Sequence, residues 1–136
     1  SQPVTLVLDA SAAVELVMAR PKRHAIAAVL QENDWVIAPS LYINEVTNTM
    51  WKYHRLLKLE LKDLQEKLQQ AIVLIDEIIP AGDLYPETLR LSCQIDHTSY
   101  DAAYLAAAQK RKAAIGTLDQ RLVSAAQRLG IQAEIS

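Results

Sequence analysis

Two kinds of apolar run alternate along the chain, and their order predicts an architecture. Residues 4–8 (VTLVL) are apolar or β-branched throughout and stop at Asp9, as a strand buried on both faces should read. Ser11 then stands as the expected N-cap of a helix over residues 12–19, which Pro21 stops. A helix over residues 22–32 gives way through Asn33-Asp34 to a short strand at 35–38. Pro39-Ser40 opens a long helix whose stripe is Ile43, Val46, Met50, Tyr53 and Leu57. Leu61, Leu64, Leu68, Ile72 and Ile75 recur at three- and four-residue spacing and predict a helix over 59–75. Residues 77–79 read as a strand closed by Pro80 and Gly82, and helices are expected over 83–95 and 99–112. A second buried-type strand at 113–117, a helix over 119–129 ended by Gly130, and a short strand at 131–135 follow. Strands alternating with helices predict a single α/β domain over residues 1–136, a three-layer α/β/α sandwich around a short, mainly parallel sheet.

Composition narrows this further. Half of the residues are apolar (51%), enough for a real core in 136 residues, but the core is of one kind: twenty Ala and nineteen Leu, no Phe, two Trp and five Tyr. Small aliphatic side chains favour closely packed helices over an aromatic-rich β sandwich. Fourteen basic against sixteen acidic residues give a net charge of -2, so binding to nucleic acid through bulk positive charge is not expected. Any such activity needs a local patch or bound cations. The one cysteine, Cys93, excludes an internal disulfide framework and a cysteine-built zinc site. No apolar run approaches the ~18–20 residues of a membrane span, and Ser1-Gln2-Pro3 shows no basic or apolar signal region. No membrane contact and a cytoplasmic setting are expected.

Four acids stand where chemistry could gather. In open parallel sheets ligands bind beyond the carboxyl ends of the strands. Asp9 directly follows the first strand, and Asp119 follows the 113–117 strand by two residues; if those strands are neighbours, both acids share one sheet edge. Asp101 lies in the first turn of its helix, on the face of Leu105 and Ala108, and Asp119 relates likewise to Leu122, Val123 and Ala126. Glu45, flanked by Asn44 and Asn48, interrupts an otherwise well-furnished apolar segment. Carboxylates at a core boundary either take up protons or bind a cation. Oxygen donors of this type suit Mg2+ or Mn2+. Each acid also has an ordinary explanation in turn chemistry or the helix dipole. Thr98-Ser99-Tyr100-Asp101 even reads as a capping box.

Four strings carry a resemblance. VLDASAAVEL (residues 7–16) resembles the opening strand and helix of PIN-domain nucleases, NEV (44–46) their second acidic block, YDAAYLAAA (100–108) their third and GTLDQRL (116–122) their fourth. In order, spacing and length the chain resembles the single-domain VapC-type toxins of toxin–antitoxin modules. The resemblance implies a PIN-like fold and Mg2+-dependent (or Mn2+-dependent) endonucleolytic cleavage of RNA. By position it implies Asp9, Glu45, Asp101 and Asp119 as the catalytic, metal-binding acids. Ser11 matches a position that supports the first acid, and Thr117 a hydroxyl position beside the fourth. It further implies a homodimer and a cognate antitoxin whose segment blocks the acidic site.

Other readings stay open beside it. A catalytically degenerate PIN-fold module that only binds RNA or protein, and a nuclease acting on DNA, share the same pattern. An aspartate-based phosphotransfer domain fits less well, because Asp9-Ala10-Ser11 lacks a second aspartate and no lysine ends a strand. Arg20, Lys22, Arg23, Lys52, Arg55, Lys58, Lys110, Arg111 and Lys112 are candidate phosphate contacts, although basic residues near helix ends also simply complement the dipole. His24, His54 and His97 share no helical face and are expected at surface or boundary positions. Cys93, at helical spacing from Leu89, is expected to pack as a small hydrophobe, and Trp35 and Trp51 to serve the core. The apolar excess of the two helices over 40–75 is read either as cover for the sheet or as a dimer and partner-helix surface.

Overall fold

A computed structural model describes residues 4–135; Ser1-Gln2-Pro3, where no signal was expected, lies outside them. The elements run β1 (Thr5–Leu8), α1 (Ala10–Val17), α2 (Arg23–Gln31), β2 (Trp35–Pro39), α3 (Leu41–Leu57), α4 (Leu61–Val73), β3 (Glu77–Ile79), a 3-10 turn (Ala81–Asp83), α5 (Tyr85–Ile95), α6 (Ser99–Arg111), β4 (Ala114–Gly116), α7 (Gln120–Arg128) and β5 (Ala133–Glu134). The five strands form one sheet in the order β3-β2-β1-β4-β5, and each pairing is parallel. Successive strand residues face opposite sides of a sheet. Leu6, Val7 and Leu8 are all at 0% exposure, so both faces of the central strand are covered, as the expected three layers require.

The alanines have a structural purpose. Every residue from Ala102 to Ala108 is buried, because α6 lies against β1, β2 and β4 on one side and α5 on the other. A helix enclosed on all sides must be apolar all round, and small side chains let it approach the sheet closely. Its N-terminal turn is thereby fixed at the carboxyl edge of β1, which matters for the site.

Several local expectations are corrected. Ser11 does not cap α1: Asp9 occupies the cap position with extended backbone and no side-chain cap bond, while Ser11 lies inside the helix and turns its hydroxyl back to Asp9. The helix expected from residue 83 begins at Tyr85, because Pro80 and Gly82 permit only a 3-10 turn before it. Cys93 is exposed: the buried face of α5 is set by Leu91 and Ile95, and a residue two positions from Leu91 falls away from it. Trp35 and Trp51 are exposed at 41% and 51%; the first donates its indole N–H to Glu77, and the second carries the Arg55 guanidinium over its ring.

Candidate functional site

β1 and β4 are neighbours in register Leu8↔Gly116, and the backbone N–H of Asp9 donates to Gly116 O at 2.9 Å. The residues that follow the two strands, Asp9 and Thr117, therefore meet at one edge. Asp9 is 7% exposed and Thr117 0%, an unusual depth for a carboxylate and a hydroxyl. Both Thr117 Oγ1 and Ser11 Oγ donate to Asp9 Oδ2 at 2.7 Å. Each hydroxyl has one proton, and Asp9 takes both, so the 3.5 Å approach of the two hydroxyl oxygens is a packing contact. As acceptors the same hydroxyls bind the loop that follows β4: Thr117 Oγ1 receives the Asp119 N–H at 3.0 Å and Ser11 Oγ the Leu118 N–H at 3.2 Å.

The other acids arrive from separate stretches of chain. Asp119 caps α7, its Oδ1 accepting the Arg121 N–H at 2.9 Å. Asp101 sits in the first turn of α6, where Thr98 Oγ1 accepts its N–H at 3.3 Å and His97 Nδ1 lies 3.3 Å from its Oδ2. The expected cap by Thr98 is present, but the Asp101 carboxylate turns to His97. Glu45, in the second turn of α3, accepts the Tyr104 hydroxyl on Oε1 at 2.5 Å. Tyr104 itself is 1% exposed.

Electrostatics joins these positions. Burial raises the Asp9 pKa, the Thr117 and Ser11 hydroxyls and the Ala10 N–H oppose that rise, and the Asp119 charge adds to it. Glu45 is pushed up to about 7, first by burial and then by the charges of Asp9, Asp101 and Asp119, with the Tyr104 hydrogen bond opposing. Glu45 thus lies in the field of the other three expected acids, and Asp9 in that of Asp119. They do not close on a point: among the described residues no three His, Cys, Asp or Glu side chains are grouped so as to hold a metal ion. Three of the four have turned to local partners instead, Glu45 to Tyr104, Asp101 to His97 and Asp119 to the α7 backbone.

The donor chemistry nevertheless fits a hard divalent cation. Mg2+ keeps several of its waters and commonly takes only one or two carboxylates. A set of oxygen donors with excess negative charge, one of them raised to about 7 first by burial and then by neighbouring acids, is relieved by a cation. Asp9, Glu45, Asp101 and Asp119 are the residues that could hold it.

Four of the nine candidate phosphate contacts have hydrogen-bonding protein partners. Arg20 pairs with Glu15 at 3.1 Å, Arg23 donates to the carbonyls of Ala19 and Arg20, and Lys110 donates to Asp83 O. Arg111 grips Glu77 at the start of β3, the sheet edge opposite the acids. Reading the sequence missed two residues here, His97 and Tyr104. His97 stands four positions before Asp101, a spacing that marks a neighbour once that acid is singled out, whereas Tyr104 bonds Glu45, 59 residues away, and no local spacing signals it.

The sequence matches the PIN domain family over residues 6–128. No curated protein matches it. Among solved structures it is similar to PAE2754 from Pyrobaculum aerophilum (22% identity, TM-score 0.74, covering 96% of this chain and 83% of that one). It is similar to VapBC2 from Rickettsia felis bound to a promoter DNA fragment (14%, TM-score 0.72, 96% and 98%). It also resembles VapC20 from Mycobacterium tuberculosis, a sarcin-ricin loop cleaving toxin (15%, TM-score 0.63, 88% and 94%). At these identities the structures speak for the fold.

Proposed function

The chain belongs to the PIN domain family, and from that premise we propose that it is a Mg2+- or Mn2+-dependent endoribonuclease, the toxin of a toxin–antitoxin pair, working as one domain in the cytoplasm. The observation that supports this reading is Asp9 buried at the carboxyl end of β1, where α/β sheets bind ligands, with its carboxylate held by Ser11 and Thr117 and the Asp119 backbone tied to the same Thr117 hydroxyl. When bound, a divalent ion supplies positive charge that admits an anionic phosphodiester and offsets charge developing on its oxygens.

The chain's own residues do the rest. Thr117 and Ser11 hold Asp9 in a fixed orientation through two hydrogen bonds to one oxygen, which leaves Oδ1 outside those bonds. Thr117 also ties the backbone of Asp119 to the same carboxylate, so the two acids keep their spacing. Asp101 and Glu45 are positioned from the α6 and α3 sides. No thiol, amine or imidazole is needed as nucleophile.

Partners follow from the surface and the relatives. Trp51, Leu56, Leu57 and Leu61 are exposed on the α3–α4 hairpin, beside a groove of about 210 Å³ lined by Met50, Trp51, Leu61, Leu64 and Leu68. An apolar surface of this kind supports docking of an antitoxin helix and a homodimer contact. Similar structures include a toxin–antitoxin complex from Klebsiella pneumoniae. A catalytically degenerate binding module remains the second reading, favoured by the acids' local partners and lack of convergence.

Incubation with total RNA, with and without Mg2+, followed by end mapping, separates them. Cleavage that needs Mg2+, leaves 5′-phosphate ends and vanishes in Asp9→Asn with an unchanged circular dichroism spectrum is the expected result. Full cleavage in EDTA or by Asp9→Asn, or cyclic-phosphate ends, would overturn the reading; no metal binding and no cleavage would leave the binding module.

A further inference from the structure

We propose that Tyr104 is a positioning residue of the acidic site, holding Glu45 by one carboxylate oxygen so that the other faces the cation. The proposal rests on the metal-dependent reading above and extends it to a residue outside the four acids. Two buried tyrosines make the comparison that carries it. Tyr42, at 0% exposure, donates its hydroxyl to the backbone carbonyl of Ala71 at 2.6 Å and so fastens α3 to α4, a purely architectural use. Tyr104 is as deeply buried, but its hydroxyl goes to no carbonyl; it goes to a side-chain carboxylate, Glu45 Oε1, 59 residues away in sequence.

A buried phenol must find an acceptor, and the Tyr104 hydroxyl donates to Glu45 Oε1 at 2.5 Å. Glu45 has only one side-chain donor among the described residues, and Tyr104 supplies it. Oε1 is thereby committed and Oε2 is left as the oxygen available for ligation, which makes Glu45 a one-oxygen ligand with a fixed approach. Carboxylates that ligate metals are commonly oriented by such outer hydrogen bonds, and losing one costs about 10–100-fold in metal affinity. Tyr104 also reaches the site from α6, the enclosed helix, so the positioning group rides on one of the most deeply packed elements of the fold.

Calorimetric titration of the full chain with Mn2+ alone tests this without reference to catalysis. Tyr104→Phe keeps the ring and its packing, and is expected to weaken Mn2+ binding about 10–100-fold, whereas Tyr42→Phe leaves it unchanged. In a Glu45→Gln background the Tyr104→Phe change should add nothing, because its effect passes through Glu45. In the unmutated protein the shielded Tyr104 hydroxyl proton should exchange slowly by NMR and shift on Mg2+ addition, a measurement independent of whether the variant folds. Mn2+ affinity equal to wild type in Tyr104→Phe, or an equal loss in the Glu45→Gln background, would overturn the positioning role alone. Absence of Mn2+ binding by the wild-type protein would overturn this proposal together with the reading on which it rests; binding that survives Asp9→Asn would remove only the assignment of the ion to this cluster, and with it the role of Tyr104.

Discussion

Thr117 has no apolar reason to be at 0% exposure, and its two hydrogen bonds supply a polar one. Its proton stabilises a carboxylate that burial would otherwise drive toward its neutral form, while its lone pair fixes the chain entering α7. Thr117→Val keeps the shape and removes both bonds. Leaving a buried carboxylate and an N–H short of partners costs about 1–3 kcal/mol, to be read from urea unfolding of the metal-free protein. Ser11→Ala should cost less, because Ser11 is only part-buried and water can take over. A neutral Thr117→Val would mean that something other than this hydroxyl holds Asp9 in place. Asp9 and Asp119 could be singled out from sequence because strand ends in parallel sheets are special places, and Thr117 through the family resemblance; Tyr104 could not, since an aromatic within an Ala-rich helix reads as core. It is core, and only its hydroxyl tells the difference. Trp51 and Cys93 erred the other way, as apolar residues whose helical phase placed them outside the buried stripe.

β3 is a three-residue strand at one edge of the sheet, and its first residue is tied to two other elements. Glu77 accepts from Arg111 at the end of α6, with one contact at 2.9 Å, and from the indole of Trp35 at the start of β2 at 3.1 Å. The Arg111 guanidinium, then Trp35, hold Glu77 at a pKa of about 2 against an ordinary 4.5. A carboxylate with a depressed native pKa contributes stability that is present above its unfolded value and lost as the pH falls through the native one. The difference in unfolding free energy between wild type and Glu77→Gln should therefore hold above about pH 4.5 and fade toward pH 2. The Glu77 and Arg111 side chains are 37% and 34% exposed, so solvent screening limits the effect to about 1 kcal/mol. A difference that stays constant from pH 6 to 2 would show the pair to be energetically idle. The order of helices and strands was legible because α and buried β runs differ in period; the joins were not. Whether residues 81–84 continue a helix depends on Pro80 and Gly82 acting against an otherwise helical stretch, and the 3-10 turn is the outcome. The Trp35–Glu77–Arg111 tie joins residues up to 76 positions apart, and no local pattern announces it.

A protein with net charge -2 whose Glu45 lies in the field of three further acids repels RNA from the very place proposed to cut it. Setting those acids aside as metal ligands leaves a formal charge of about +2 elsewhere, so binding should depend on the cation more than on the protein's bulk charge. Arg20, Arg23, Lys110 and Arg111 are engaged within the fold, and Lys22, Lys52, Arg55, Lys58 and Lys112 remain as the exposed candidates from the original set. About three phosphate contacts from such a set give a salt slope near -2 for single strands, or a loss of roughly twentyfold between 50 and 200 mM salt. Filter binding of a short single-stranded RNA, with Ca2+ replacing Mg2+ to slow cleavage, should show that slope, and EDTA should abolish binding at every salt concentration. The two dependences report different things. Salt without cation dependence would place RNA on the basic helices and away from the acids. Cation without salt dependence would confine recognition to the metal cluster and leave those lysines as solvated surface. Only the combination describes a strand held by its backbone on the helices and presented to the carboxylates through an ion.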